Sequence, residues 1–133
     1  MSQQNVEIVS RGLEHFVATG ELLEDVFSPD LVLDMTQFRG WPEQPIYEGF
    51  EGWRRFLWEW TEPFEQWQIT PEVQRDAGEK VVAVCRQQGR AKTSGLPVDM
   101  RFAIVFTVRD GLQTRMEMYA DPTDALKAVG LEE

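Results

Sequence analysis

The 133-residue sequence predicts an α+β fold in which helices pack on a strongly curved, mainly antiparallel sheet. Three observations carry this expectation. From Gln66 to Asp121, runs of residues alternate between apolar and polar, which is the period of half-buried strands. Directly upstream, Trp53, Phe56, Leu57, Trp60 and Phe64 recur every three or four residues, the period of an amphipathic helix. A further helical stripe opens the chain. A sheet with one apolar face has to lay it against something. The aromatic helix is the nearest cover, and the pairing leaves a hollow able to admit a small molecule.

The elements follow in order. Between Gln3 and Thr19, Val6, Val9, Leu13, Phe16 and Val17 form one stripe, and Gly20 supplies a left-handed stop. A shorter helix fits Glu21 to Phe27, closed by the turn residues Ser28-Pro29-Asp30, and Leu31 to Thr36 reads as a strand. Gln37 to Ile46 carries Gly40, Pro42 and Pro45 around Trp41, which suits a loop crossing a pocket rim. The aromatic helix then runs from Gly49 to about Thr61. Trp67 to Val73 is a ragged strand interrupted by Pro71, and Asp76-Ala77-Gly78-Glu79 turns it into a partner over Lys80 to Gln88. Val98 to Val108 and Leu112 to Ala120 make a hairpin around Arg109-Asp110-Gly111. Asp121 caps a last short helix with Pro122 in its first position and Gly130 at its end.

Strand alternation assigns the faces. Phe102, Ile104, Phe106 and Val108 share one side of their strand, and Met116, Met118 and Ala120 share one side of the next, so the two greasy sides make a concave surface. Arg115, Glu117 and Tyr119 belong to the other side, where Arg101 is placed to pair with Glu117. Ala103, Val105 and Tyr119 on that outer side would be bare on a monomer, which predicts a two-fold homodimer covering them.

Composition narrows the partners. Acids outnumber bases 23 to 13, giving a net charge of -10, and a nucleic-acid binder needs the reverse to displace phosphate counterions. The acids are dispersed, as on a solvated surface. No stretch approaches the roughly 18 apolar residues of a membrane span, and Met1 to Val9 has no targeting pattern. The single cysteine, Cys85, has no partner in the chain and suits a reducing cytoplasm. One histidine, one cysteine and scattered acids give no metal-ligand cluster, so neither metal nor cofactor is expected. His15, the obvious proton carrier, falls opposite Val6 at about 100° per residue and is assigned to solvent.

The order of elements, together with Asp30-Leu31-Val32-Leu33-Asp34-Met35, Tyr47-Glu48-Gly49-Phe50-Glu51-Gly52 and Arg109-Asp110-Gly111, resembles the SnoaL-like branch of the NTF2-like superfamily over nearly the whole chain. The resemblance implies a single NTF2-like cone over residues 1–133. It covers polyketide cyclases, ketosteroid isomerases, limonene-type epoxide hydrolases and proteins with no known reaction. Carried over residue by residue, the isomerase tyrosine falls near Leu13, its oxyanion aspartate on Ile104 and its base on Met35, beside Asp34. The hydrolase acids fall on Arg86-Gln87-Gln88 and Met118, and the last-strand acids nearest a cyclase base are Glu117 and Asp121.

Two side chains are singled out for chemistry. Asp34 ends a strand beside the rim loop, where partial burial would raise its pKa and make it a base, and Tyr47 stands where its hydroxyl would orient a ligand oxygen. Leu13, Met35, Trp53, Phe56, Trp60, Phe102, Ile104, Phe106, Met116 and Met118 are expected to line a site for a small hydrophobic, polycyclic molecule. Two functions compete on this reading: an isomerase, cyclase or lyase using Asp34, and a protein or dimeric scaffold that binds without chemistry.

Overall fold

A computed structural model describes residues 2–131. The helix α1 (Ser2–Thr19) is followed by one 3-10 turn (Glu24–Val26) and by strands β1 (Phe27–Asp34) and β2 (Ile46–Glu48). Then come helix α2 (Gly49–Thr61), strands β3 (Phe64–Ala77), β4 (Lys80–Ala91), β5 (Pro97–Arg109) and β6 (Leu112–Tyr119), and helix α3 (Pro122–Ala128). The six strands form one sheet in the order β2-β1-β6-β5-β4-β3. Only β1 and β6 pair in parallel, and the other neighbours are antiparallel, so the mainly antiparallel α+β expectation holds.

Helices α1 and α2 cover one face. Val9, Leu33, Trp53, Phe56, Trp60, Val81, Phe102 and Phe106 meet there in a single apolar cluster. Rings account for much of it: Phe56, Trp60 and Phe102 stand in a chain with centroids 5.5 and 5.2 Å apart, close enough for edge and offset attraction beyond plain burial. Gly52 makes the approach of α2 possible, because a Cβ there would sit 3.1 Å from the carbonyl carbon of Tyr47. Val17 leaves the predicted stripe and is half exposed.

Several local expectations are corrected. The stretch from Glu21 to Phe27 closes only one 3-10 turn, since so short a segment cannot repay helix nucleation, and β1 starts at Phe27 rather than after a turn at Ser28-Pro29-Asp30. Helix α2 stops at Thr61 because Pro63 has no N–H to continue it, so Phe64 begins β3 instead of closing the helical stripe. Pro71 does not end β3. That strand lies at the sheet edge, where a missing N–H is tolerated, and the register slips between Pro71 and Val73.

The largest correction concerns the outer face. Ala103, Val105 and Tyr119 are buried within one chain, together with Val82, because Ala125 and Leu126 of α3 lie over them. The patch that predicted a dimer is therefore covered by the protein's own last helix, held in place by Asp121, whose side chain accepts from the backbone N–H of Thr123 at 2.9 Å. Arg101 pairs with Glu72 at 2.7 Å rather than with Glu117, since Glu117 stands opposite Val105, further along the hairpin.

Candidate ligand cavity

Between the helices and the concave face lies a cavity of about 60 Å³. Its back wall comes from β5 and β6, which present Phe102, Ile104, Phe106, Met116 and Met118 by the alternation of paired strands. Trp53, Phe56, Leu57 and Trp60 of α2, and Leu13 and Phe16 of α1, close it from the other side. Nine of the ten residues expected to line it do so, and Met35 does not: it is buried in the same apolar cluster but outside the cavity. A groove of about 430 Å³ adjoins it and shares Leu22, Trp53 and Leu57 as walls, so those three side chains stand between the inner cavity and the surface. Across this groove Arg54 of α2 bonds Glu24 of the 3-10 turn at 2.8 Å.

The two side chains proposed for chemistry are not in the lining. Asp34 is in register with Glu117 of β6 and shares the outer face with it and Arg115, one residue out of step with Leu33 and Met116, which face inward. Its Oδ2 accepts from Arg115 at 2.5 Å, and its Oδ1 accepts from the Thr36 backbone N–H at 2.8 Å and hydroxyl at 2.6 Å. Burial pushes this carboxyl up, but the Thr36 and Arg115 bonds and the arginine charge outweigh it and hold the pKa below the usual value. This is the opposite of the raised pKa expected of a base.

Tyr47 is buried behind Phe56, with ring centroids 5.5 Å apart. Its hydroxyl donates to Glu59 and accepts from the Trp41 indole at 3.2 Å, while Arg55 holds the other Glu59 oxygen at 2.7 Å. Burial and the Glu59 bond push the phenol up to about 12. The rim loop is thus tied down through Trp41, which also stacks on Phe56 and Trp60.

Among the described residues the cavity lining holds no titratable side chain. Its polar groups are three indole N–H groups and one amide, Gln113. Trp60 and Trp67 both donate to Oε1 of Gln87 at 2.7 Å, which leaves those two indoles satisfied. Gln113 differs. It is fully buried, its Nε2 donates to the Val26 carbonyl at 3.2 Å, and its Oε1 has no partner. An unpaired buried acceptor costs about 1–3 kcal/mol.

Sequence reasoning missed Gln113 because alternation counted back from Met116 places it outside. A bulge reverses that: Thr107 pairs with Arg115 and Val108 with Gln113, so Thr114 is an extra residue and the strand is out of phase below it. Cys85 also faces the concave cluster, and burial raises its thiol to about 12. No grouping of three or more His, Cys, Asp or Glu that could hold a metal occurs among the described residues. No helix there is long and apolar enough to cross a membrane.

A SnoaL-like domain family model matches residues 14–116, and the chain belongs to that family. No curated protein matches it. Solved structures share its fold. TerC co-crystallised with polyporic acid is 20% identical at a TM-score of 0.70, with 95% of this chain and 98% of that one covered. A protein from Jannaschia sp. CCS1 named as a SnoaL-like polyketide cyclase is 22% identical at 0.69, covering 99% and 95%. A protein with a ketosteroid isomerase-like fold from Catenulispora acidiphila DSM 44928, in complex with trimethylamine, is 20% identical at 0.67, covering 94% and 93%.

Proposed function

We propose that this protein, as one SnoaL-like domain over residues 1–133, binds a small hydrophobic molecule in the concave cavity without general acid–base chemistry. The observation that carries the reading is the lining: 17 residues, of which none titrates. Proton transfer needs a donor or acceptor within hydrogen-bond reach of the ligand, and Asp34 and Tyr47 are held elsewhere by Arg115 and Glu59. Organic molecules held by two proteins of the same fold, polyporic acid by TerC and trimethylamine by the Catenulispora protein, support the site as a container.

At about 60 Å³ the closed cavity is smaller than the roughly 150 Å³ that takes benzene in a protein interior, so a single ring enters only if the wall moves, and the polycyclic ligand expected would need more still. Rotation of Leu22 and Leu57 would join it to the outer groove and lengthen the site. Toluene is a suitable probe, and Trp53, Trp60 and Trp67 in the wall make its entry visible in tryptophan fluorescence. A saturable change is expected in the wild-type protein and a weakening of at least about tenfold in Met118→Phe, which fills the hollow. A response that never saturates rejects the reading. An isomerase- or cyclase-type reaction based on Asp34 is the alternative. It requires Asp34→Asn to abolish turnover, whereas the binding reading expects unchanged toluene affinity.

The homodimer of this reading uses the convex strip that α3 leaves open, a placement supported by Val73, which is half exposed beside Val84. A clean monomer mass by light scattering at micromolar concentration rejects it. The buried, unpaired Cys85 supports a reducing, cytoplasmic location, and the charge of -10 supports a partner other than nucleic acid.

A further inference from the structure

We propose that Gln113 is the specificity-determining contact of the cavity, its Oε1 accepting a hydrogen bond from a hydroxyl or N–H group of the ligand. The ligand class is then an apolar ring or chain carrying one donor, in place of a pure hydrocarbon or a molecule that offers only acceptors. The inference rests on the binding reading and narrows it.

Four observations converge on this amide. Gln113 is completely buried, lines the cavity, and has an oxygen that no protein donor reaches among the described residues. Its orientation is fixed, because the bond from Nε2 to the Val26 carbonyl would become an oxygen facing an oxygen if the amide were turned over. The residue arrives on this wall only through the bulge at Thr114, a local irregularity that interrupts the ladder in order to turn a side chain inward. Finally, Gly12 of α1 leaves room for it: a Cβ there would lie 3.2 Å from Nε2 and crowd the amide.

Placing a polar side chain in an apolar wall is otherwise unfavourable, so its lone acceptor marks where a ligand gains most. The nearby amide shows the contrast. Gln87 spends its oxygen on the indoles of Trp60 and Trp67, and so leaves no unpaired acceptor for a ligand. A trapped water serves Gln113 poorly, because a buried water needs two to four polar partners and two of the three indoles in the wall are already engaged. A ligand hydroxyl attached to an apolar ring needs only the one acceptor, and the rest of the wall meets the ring.

The test compares phenol with toluene, molecules of similar shape that differ in one donor, on the full chain and on Gln113→Met, which keeps the volume and removes the acceptor. Phenol affinity is expected to fall about tenfold or more in the variant, while toluene changes by less than about threefold. Anisole, with the same oxygen but no donor, should behave as toluene does. Equal losses for phenol and toluene, or no loss for either, overturn the inference while leaving the cavity intact as a binding site. Failure of both probes to bind the wild-type protein overturns the binding reading and the inference with it. Should Gln113→Met not fold, wild-type protein with ¹³C-labelled glutamine decides the point. The Gln113 side-chain carbonyl resonance is expected to move with phenol and not with toluene, and the same displacement for both rejects the assignment.

Discussion

The two faces of the sheet treat ionisable groups in opposite ways. On the concave face, burial pushes Tyr47 and Cys85 up to about 12, and both stay neutral. On the convex face Asp34, also nearly buried, is drawn below its usual value by Thr36 and Arg115 and stays charged. The difference lies in the partners: Tyr47 is bonded to the Glu59 carboxylate, which penalises a phenolate, and Cys85 is packed among apolar side chains, whereas Asp34 meets a guanidinium and hydrogen-bond donors. On the function proposed above, a cavity built on the first face recognises shape and a single donor rather than moving protons.

The sharpest way to break the comparison is to remove the concave core. Trp60 contacts Phe38, Trp41, Phe56 and Phe102 and donates to Gln87, so Trp60→Ala leaves a void and an acceptor with one donor fewer. A loss of about 3–5 kcal/mol is expected from urea unfolding. A loss below about 1 kcal/mol would mean that this face is not the principal core.

Smaller and of opposite sign in pH are the effects of the two buried oxygen acids. Asp34 has a lowered folded pKa, so its contribution is fully present above its ordinary value of 3.8 and lost as pH falls through the folded value. Tyr47 has a raised one, so its contribution is fully present below 10.0 and lost as pH rises toward about 12. Asp34→Asn should therefore flatten the acid limb of a stability-versus-pH curve and leave the alkaline limb alone, and Tyr47→Phe should do the reverse. Identical limbs in wild type and variants would contradict the opposed shifts.

Most of this division is legible in the sequence, and the misses have definite causes. The inward set on β5 and β6 follows from strict alternation, which holds wherever the pairing is regular. Gln113 escapes notice because one bulge at Thr114 exchanges the faces, and nothing in Gln113-Thr114-Arg115 announces an extra residue. Asp34 looks like a base when only its strand end is considered. Its partner Arg115 is 81 positions away and meets it only through the one parallel pairing, a contact no local pattern encodes. The outer patch of Ala103, Val105 and Tyr119 reads as an interface until α3 is laid across it, and the direction in which a seven-residue helix folds back is likewise a tertiary fact.

The least effect is expected at Cys85, and it tests the concave face at its most reactive atom. The thiolate is the nucleophile, and a thiol raised to about 12 is almost wholly protonated at pH 8. The sulfur is also fully buried, between Pro71 on β3 and Phe102 on β5 in the sheet register. A thiol reagent at pH 8 should therefore leave the native protein unlabelled and label it at once in denaturant. Labelling of native protein that speeds up on adding toluene would show that the probe opens the core near β4. Rapid labelling without it would mean that this face admits water and charge, and the contrast between the two sides of the sheet would fail at its centre.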